Sequence, residues 1–146
     1  MNVAPIESML RTDAEGARSR AAVAAAIGFI GLAIFQLALA LGAPLGRAAW
    51  GGYQTHLSTG LRVASGVAVV FWSLMALMVL RRGGYRVPPF SYQVSRVGTW
   101  ILFGVLCLGV LMNLASRSDW ERFLQAPIAA ILAVLCLIVA RGRRGG

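Results

Sequence analysis

Four apolar runs, at residues 21–43, 61–80, 98–115 and 127–140, govern what this chain can fold into. A bilayer core about 30 Å thick calls for about 20 apolar residues of helix at 1.5 Å each. Four such crossings with short loops nearly exhaust 146 residues, so no soluble second domain fits. The reading is all-α: a polytopic four-helix transmembrane bundle over residues 21–140, with tails at 1–20 and 141–146 and helices at about 21–43, 61–80, 98–115 and 119–140. Composition agrees. Hydrophobic residues make up 58% of the chain and charged residues 13%, and a mean hydropathy of +0.73 makes bilayer the natural solvent.

The last run has 14 residues and would span only about 21 Å. The missing turns lie in "SRSDWERFLQAP", where Ser118 and Glu121 have the spacing of a capping box: the serine oxygen accepts from the backbone N–H near Glu121, and the glutamate reaches back to the cap. That spacing predicts a helix from near Asp119, with Asp119 and Glu121 in a first turn whose dipole favours anions. Trp120, Phe123 and Leu124 then supply apolar length, and Pro127, inside the helix, predicts a kink or short break.

Arginine placement suggests an orientation. Arg11, Arg18, Arg20, Arg81, Arg82, Arg86, Arg96, Arg141, Arg143 and Arg144 fall on one side of the four spans, against Arg47, Arg62, Arg117 and Arg122 on the other. The positive-inside rule then puts both termini in the cytoplasm. A cleavable signal peptide is the competing reading of the first run, because "ALALGA" has small residues at suitable spacing. The run of about 22 residues exceeds the usual 7 to 15, however, and a long, partly acidic tail precedes it. Residues 1–16 read as frayed or interfacial, with Ile6, Met9 and Leu10 as a weak apolar stripe. The net charge of +9 sets 14 basic residues, all arginine, against 5 acidic ones. No basic cluster here is interleaved with aromatics on a soluble fold, so nucleic acid is excluded and anionic headgroups at the cytoplasmic face are the expected partners, beside bulk lipid.

Several chemistries are disfavoured by what the spans lack. The acidic residues Glu7, Asp13, Glu15, Asp119 and Glu121 all lie outside the middle of a span, whereas ion-coupled transport needs an ionisable group at depth. A single histidine, His56, cannot form a bis-histidine haem site. Cys107 and Cys136 sit on different helices at depths differing by about 7 Å, which argues for packing and against a disulfide. Gln36 and Asn113 can hydrogen-bond across helices, and Ser65, Ser73 and Thr99 can bond their own helix backbone. Ala22 with Ala26, Ala64 with Ala68, and Gly42 with Gly46 have spacings that let backbones approach. No cofactor or metal is implied.

The strip "LGAPLGRAAWGGYQTHLSTG", residues 41–60, breaks the apolar pattern. Gly42, Pro44, Gly46, Gly51 and Gly52 favour bends, and Trp50 and Tyr53 suit headgroup depth. Backbone groups released there need partners, and Asn113, Ser116 and Ser118 are the nearest polar side chains able to serve. Arg47 or Arg62 can pair with Asp119 or Glu121. A catalytic reading would take His56 as base with Asp119 or Glu121 orienting it, but no nucleophile or metal-ligand set accompanies it, and a solvated loop histidine is the default.

"FQLALALGAPLGRAAWGG", "LRVASGVAVV" and "MNLASRSDWERFLQAPIAAILAVLCLIVA" resemble a family of small, uncharacterised four-helix integral membrane proteins from bacteria. The resemblance covers residues 34–140, and it departs from the family's pattern at "HLSTGLR", where a proline ahead of "LR" is expected. It implies a multi-pass protein of the bacterial plasma membrane and supplies no activity. Two functions then stand open. One is a non-enzymatic structural or accessory component that packs against lipids, a membrane-protein partner or a second copy of itself. The alternative is a small-molecule or lipid binding or transport module with an outward pocket formed by residues 42–52 and 113–122, for which Gln36, Arg47, Trp50, Asn113, Ser118, Asp119 and Glu121 are the candidate pocket or cap residues. A cavity reaching Gln36 and Asn113 favours the second function.

Overall fold

The computed structural model describes the backbone of residues 4–142 and the side chains of Met9 and of residues 12–142. Among these residues the chain is all-helical. Helix α1 runs Ala4–Ala40, α2 Thr59–Gly83, α3 Tyr92–Ala115 and α4 Ala126–Arg141. Short 3-10 turns at Gly46–Ala48 and Trp50–Gly52 lie between α1 and α2, and a π-helical turn at Glu121–Gln125 leads into α4. Four helical stretches are long and apolar enough to cross a membrane: Thr12–Ala40, Thr59–Gly83, Tyr92–Ala115 and Glu121–Arg141.

The helices outrun the apolar runs that announced them. The described part of the segment expected to fray to residue 16 is helical, since α1 runs unbroken from Ala4. Ala, Glu and Arg in "DAEGARSRAAVAAA" are strong helix formers, so a polar segment extends the helix past the point where apolarity stops. The side chains of Ile6 and Leu10 lie outside the described residues, as do residues 143–146 of the C-terminal tail. α3 starts six residues before its apolar run because Ser91 caps it, accepting a hydrogen bond from the Val94 N–H at 3.2 Å.

α1 stops at Ala40, short of residue 43, for a reason visible in the backbone. Gly42 takes φ +96°, its N–H bonds the Leu39 carbonyl, and the Ala43 N–H bonds the Ala38 carbonyl. This is the Schellman arrangement, in which a left-handed residue satisfies the last carbonyls of the helix. At the fourth helix the chain is helical from Asp119, and the Ser118 Oγ accepts from the Glu121 N–H at 3.4 Å. The break associated with Pro127 falls one turn early. The Ala126 N–H reaches back to the Glu121 carbonyl, an i→i−5 bond that widens the turn just before the proline, whose ring would otherwise crowd a carbonyl four residues back.

α1 packs most extensively on α2 and α3 on α4, with α1–α4 and α2–α3 closing the ring. The principal core joins Phe29 and Ala25 of α1, Ala76 and Val79 of α2, Leu102 and Leu106 of α3, and Leu132 and Cys136 of α4. Phe29 stacks on Trp72 with ring centroids 5.6 Å apart. Ala22 and Ala26 are both buried. Cys107 and Cys136 are free thiols, Cys136 fully buried in this core. Large apolar side chains such as Ile27, Val67, Ile101 and Ile131 face outward, as a lipid-facing surface requires. The up-down course puts the start of α1, the α2–α3 loop and the end of α4 at one end (the terminal end), and the strip with the α3–α4 turn at the other (the strip end).

Candidate functional site

At the strip end, residues 43–58 fold down as a cap. Leu57 and Ala49 are buried with Leu39 of α1, and the Gly46 N–H bonds the Thr55 carbonyl at 3.0 Å. Trp50, Gly51 and Gly52 have φ of +55°, +83° and +73°, a left-handed run that glycine adopts freely and tryptophan does not. The indole N–H of Trp50 donates to Ser65 Oγ at 3.1 Å, a tether that helps hold the strained residue.

The "SRSDWER" segment receives this cap. Glu121 is only 7% exposed; its Oε1 accepts from the Gly51 N–H at 2.8 Å, and its Oε2 accepts from the Ser116 hydroxyl. The Ser118 hydroxyl donates to the Arg47 carbonyl at 2.8 Å, and Gln125 Nε2 donates to the Ala48 carbonyl. Gly52 lies so close to Ser118 that a Cβ there would come within 2.7 Å of the serine's own. The capping box is thus half formed. Ser118 caps the helix, but the glutamate carboxylate, instead of returning to the N-cap, satisfies a backbone donor 70 residues away.

Other sequence expectations resolve differently. The Arg47 and Arg62 guanidiniums do not pair with Asp119 or Glu121. Arg62 Nε instead donates to the Ala40 carbonyl at 2.9 Å, a cation at the carbonyl end of α1 where the helix dipole favours it. Arg47 contributes its backbone carbonyl and leaves its side chain exposed, as Asp119 also is. His56 is exposed and makes no hydrogen bond to either acid, and both Glu121 oxygens are engaged by Gly51 and Ser116. Among the described residues, no group of His, Cys, Asp and Glu side chains could hold a metal ion.

The blocks 42–52 and 113–122, expected to flank a pocket, are bonded to each other through Gly51 with Glu121 and Arg47 with Ser118. A cavity of about 200 Å³ lies beneath them instead, among the helices. Gln36 of α1, Asn113 of α3 and Gln125 of the π turn bring three carboxamides to its wall, with Phe35, Trp72 and Gly109 among the apolar lining. Its lining on α3 extends from Val105 to Asn113, about 12 Å of helix rise. No ionisable side chain lines it. The Gln36 Oε1 is buried without a protein donor, an arrangement that costs about 1–3 kcal/mol if uncompensated, so the amide has reason to turn toward any donor entering the cavity. Gln125 also joins cavity to cap through its bond to Ala48. No local sequence signal marks this role for Gln125.

Fold and site together define a polytopic α-helical bundle, sealed at one end by a hydrogen-bonded cap over an amide-lined cavity. The chain matches no family model, and neither a curated protein nor a solved structure is similar to it.

Proposed function

We propose that this is a multi-pass protein of the bacterial plasma membrane, a member of the four-helix family it resembles, with both termini cytoplasmic, and that it binds a small neutral ligand in the cavity below the strip. The observation that carries the reading is the convergence of Gln36, Asn113 and Gln125, from three separate elements, on one cavity walled by Phe35 and Trp72. Carboxamides offer both donors and acceptors and carry no charge. A ligand suited to them has a hydrogen-bonding end and an apolar body; an ion would enter a low-dielectric space with no opposite charge to meet it. Polar groups converging in a mostly apolar concavity are the usual make-up of a small-molecule site. The protein binds without transforming, since neither a nucleophile nor an acid–base pair adjoins the cavity.

The test is mass spectrometry of small molecules released from the full chain purified from membranes in mild detergent, beside Gln36→Leu/Asn113→Leu. A neutral amphiphile that co-purifies with the native chain and is depleted at least about tenfold from the variant, the loss of roughly one hydrogen bond's free energy, is the expected result. Equal small-molecule content in the two samples, with both folded, would return the protein to a purely structural role.

A further inference from the structure

The terminal end carries a second, chemically opposite concavity. A cleft of about 550 Å³ lies between the start of α3 and the end of α4, lined by Arg82, Tyr92, Arg96, Trp100 and Arg141 among others. Among the described residues, no carboxylate lines it. Arg82 is 4% exposed and binds inward: one terminal nitrogen donates to the Tyr92 hydroxyl, the other to the carbonyls of Ala140 (2.8 Å) and Gly142. Its guanidinium also lies 5.3 Å from the Tyr92 ring centroid. The negative end of the α4 dipole, which would repel an anion, is therefore already neutralised by a buried cation. Arg96 and Arg141 stand at the cleft with no hydrogen-bond or ion-pair partner among the described residues, and both are exposed.

Tyr92, Arg96 and Trp100 follow one another at i, i+4 and i+8, on one face of α3. That column grades from polar at the helix start to apolar one turn beyond the arginine. A second concavity, lined by Gln93, Arg96, Val97 and Trp100, continues the groove along the same helix. Val97 and Trp100 face outward at 60% and 43% exposure. The order of groups matches a molecule whose anionic head meets two arginines while its chains run along Trp100 and the lipid-facing side of the bundle.

From this arrangement we propose that the Arg82–Arg96–Arg141 cleft is a specific site for the phosphate group of an anionic phospholipid, independent of the ligand assigned to the amide-lined cavity. Arg96 and Arg141 bind the phosphate oxygens, the work for which guanidinium geometry is suited. Arg82 holds the ends of α3 and α4 at the separation that leaves the cleft open. Trp100 packs against the upper acyl chain. Basic pockets between transmembrane helices are a recurrent means of holding such headgroups.

The experiment is thermal unfolding of the full chain in mixed micelles, titrated separately with phosphatidylglycerol, phosphatidylcholine and inorganic phosphate. Phosphatidylglycerol is expected to raise the melting temperature saturably, and neither of the other two to do so. Arg96→Gln/Arg141→Gln is the diagnostic variant, because neither side chain bonds another of the described residues. It should melt near the native chain without lipid and need about thirtyfold more phosphatidylglycerol for half the shift. An equal shift with phosphatidylcholine overturns the proposal by removing the need for an anion. A full shift with inorganic phosphate overturns the assignment to lipid, and an undiminished shift in the double variant overturns the site. Should that variant unfold, Arg96→Lys/Arg141→Lys replaces it: retained charge with weakened binding supports the guanidinium site, and unchanged binding counts against it.

Discussion

Filling the amide-lined cavity should stabilise the bundle. Gly109 is the position from which to fill it. It lines the cavity on α3, and a Cβ built there meets no atom within 4 Å. Two terms set the expected magnitude for Gly109→Leu. Replacing a mid-helix glycine is worth about 0.5–1 kcal/mol. Cavity volume costs about 24 cal/mol per Å³, so a side chain occupying roughly half of the 200 Å³ would recover about 2.4 kcal/mol. Displacing hydrogen-bonded water from the amides would subtract about 1 kcal/mol for each bond not replaced. The net expectation is a gain of about 1–3 kcal/mol, read in detergent as a rise of about 2–12 °C for a chain of this size. Gly104→Leu is the control, because Gly104 is exposed on the same helix, also has an open Cβ position, and does not line the cavity. It should show the propensity term alone. A melting temperature for Gly109→Leu that falls, or only equals that of Gly104→Leu, would refute the cavity argument.

Glu121→Ala strands the Gly51 N–H and the Ser116 hydroxyl and should cost about 1–3 kcal/mol in thermal or denaturant unfolding, whereas Glu121→Gln, which keeps one acceptor, should cost visibly less; equal losses would mean the Gly51 bond contributes nothing. Gly52→Ala, placed at φ +73° and against Ser118, should destabilise by more than about 1 kcal/mol, and a neutral result would show that the cap sits looser than described. Ser118→Ala removes both a helix cap and the bond to Arg47, for a loss of about 1–2 kcal/mol, while His56→Ala should stay within about 0.5 kcal/mol of the native chain; the reverse order would move attention to the histidine. Reporter fusions at residue 146 and in the α2–α3 loop should both read cytoplasmic, and an external signal from either would invert the orientation taken from the arginines.

Particular residues show how far the sequence could be read. Ser118 announced the start of the fourth helix because a cap acts on its own next turn; Gly42 carried an equally local signal for the end of α1, but an apolar run reaching residue 43 obscured it. Ser91 carried the same kind of signal ahead of α3 and was passed over, since the apolar run begins only at Gly98. Judging helices by apolar runs measures what fits the bilayer. It underestimated α1, whose polar first turns are helical through propensity alone. Glu121 was misdirected: the capping-box spacing sends its carboxylate back to its own helix, while in the fold a left-handed turn brings the Gly51 N–H within reach first.

Not every non-local arrangement had a one-dimensional trace. Arg82 counted in the sequence as a loop charge, yet it is buried and fastens α2 to the ends of α3 and α4. Gln36, Asn113 and Gln125 meet only because of how each helix is rotated about its axis. By itself the sequence determined that four helices form, roughly where they turn, and that their surfaces suit lipid, because these follow from apolar length and local backbone chemistry. Tertiary structure alone decided which faces turn inward. When solvent and core are both apolar, hydrophobicity does not orient a helix, and close packing with a few hydrogen bonds between distant residues makes the choice.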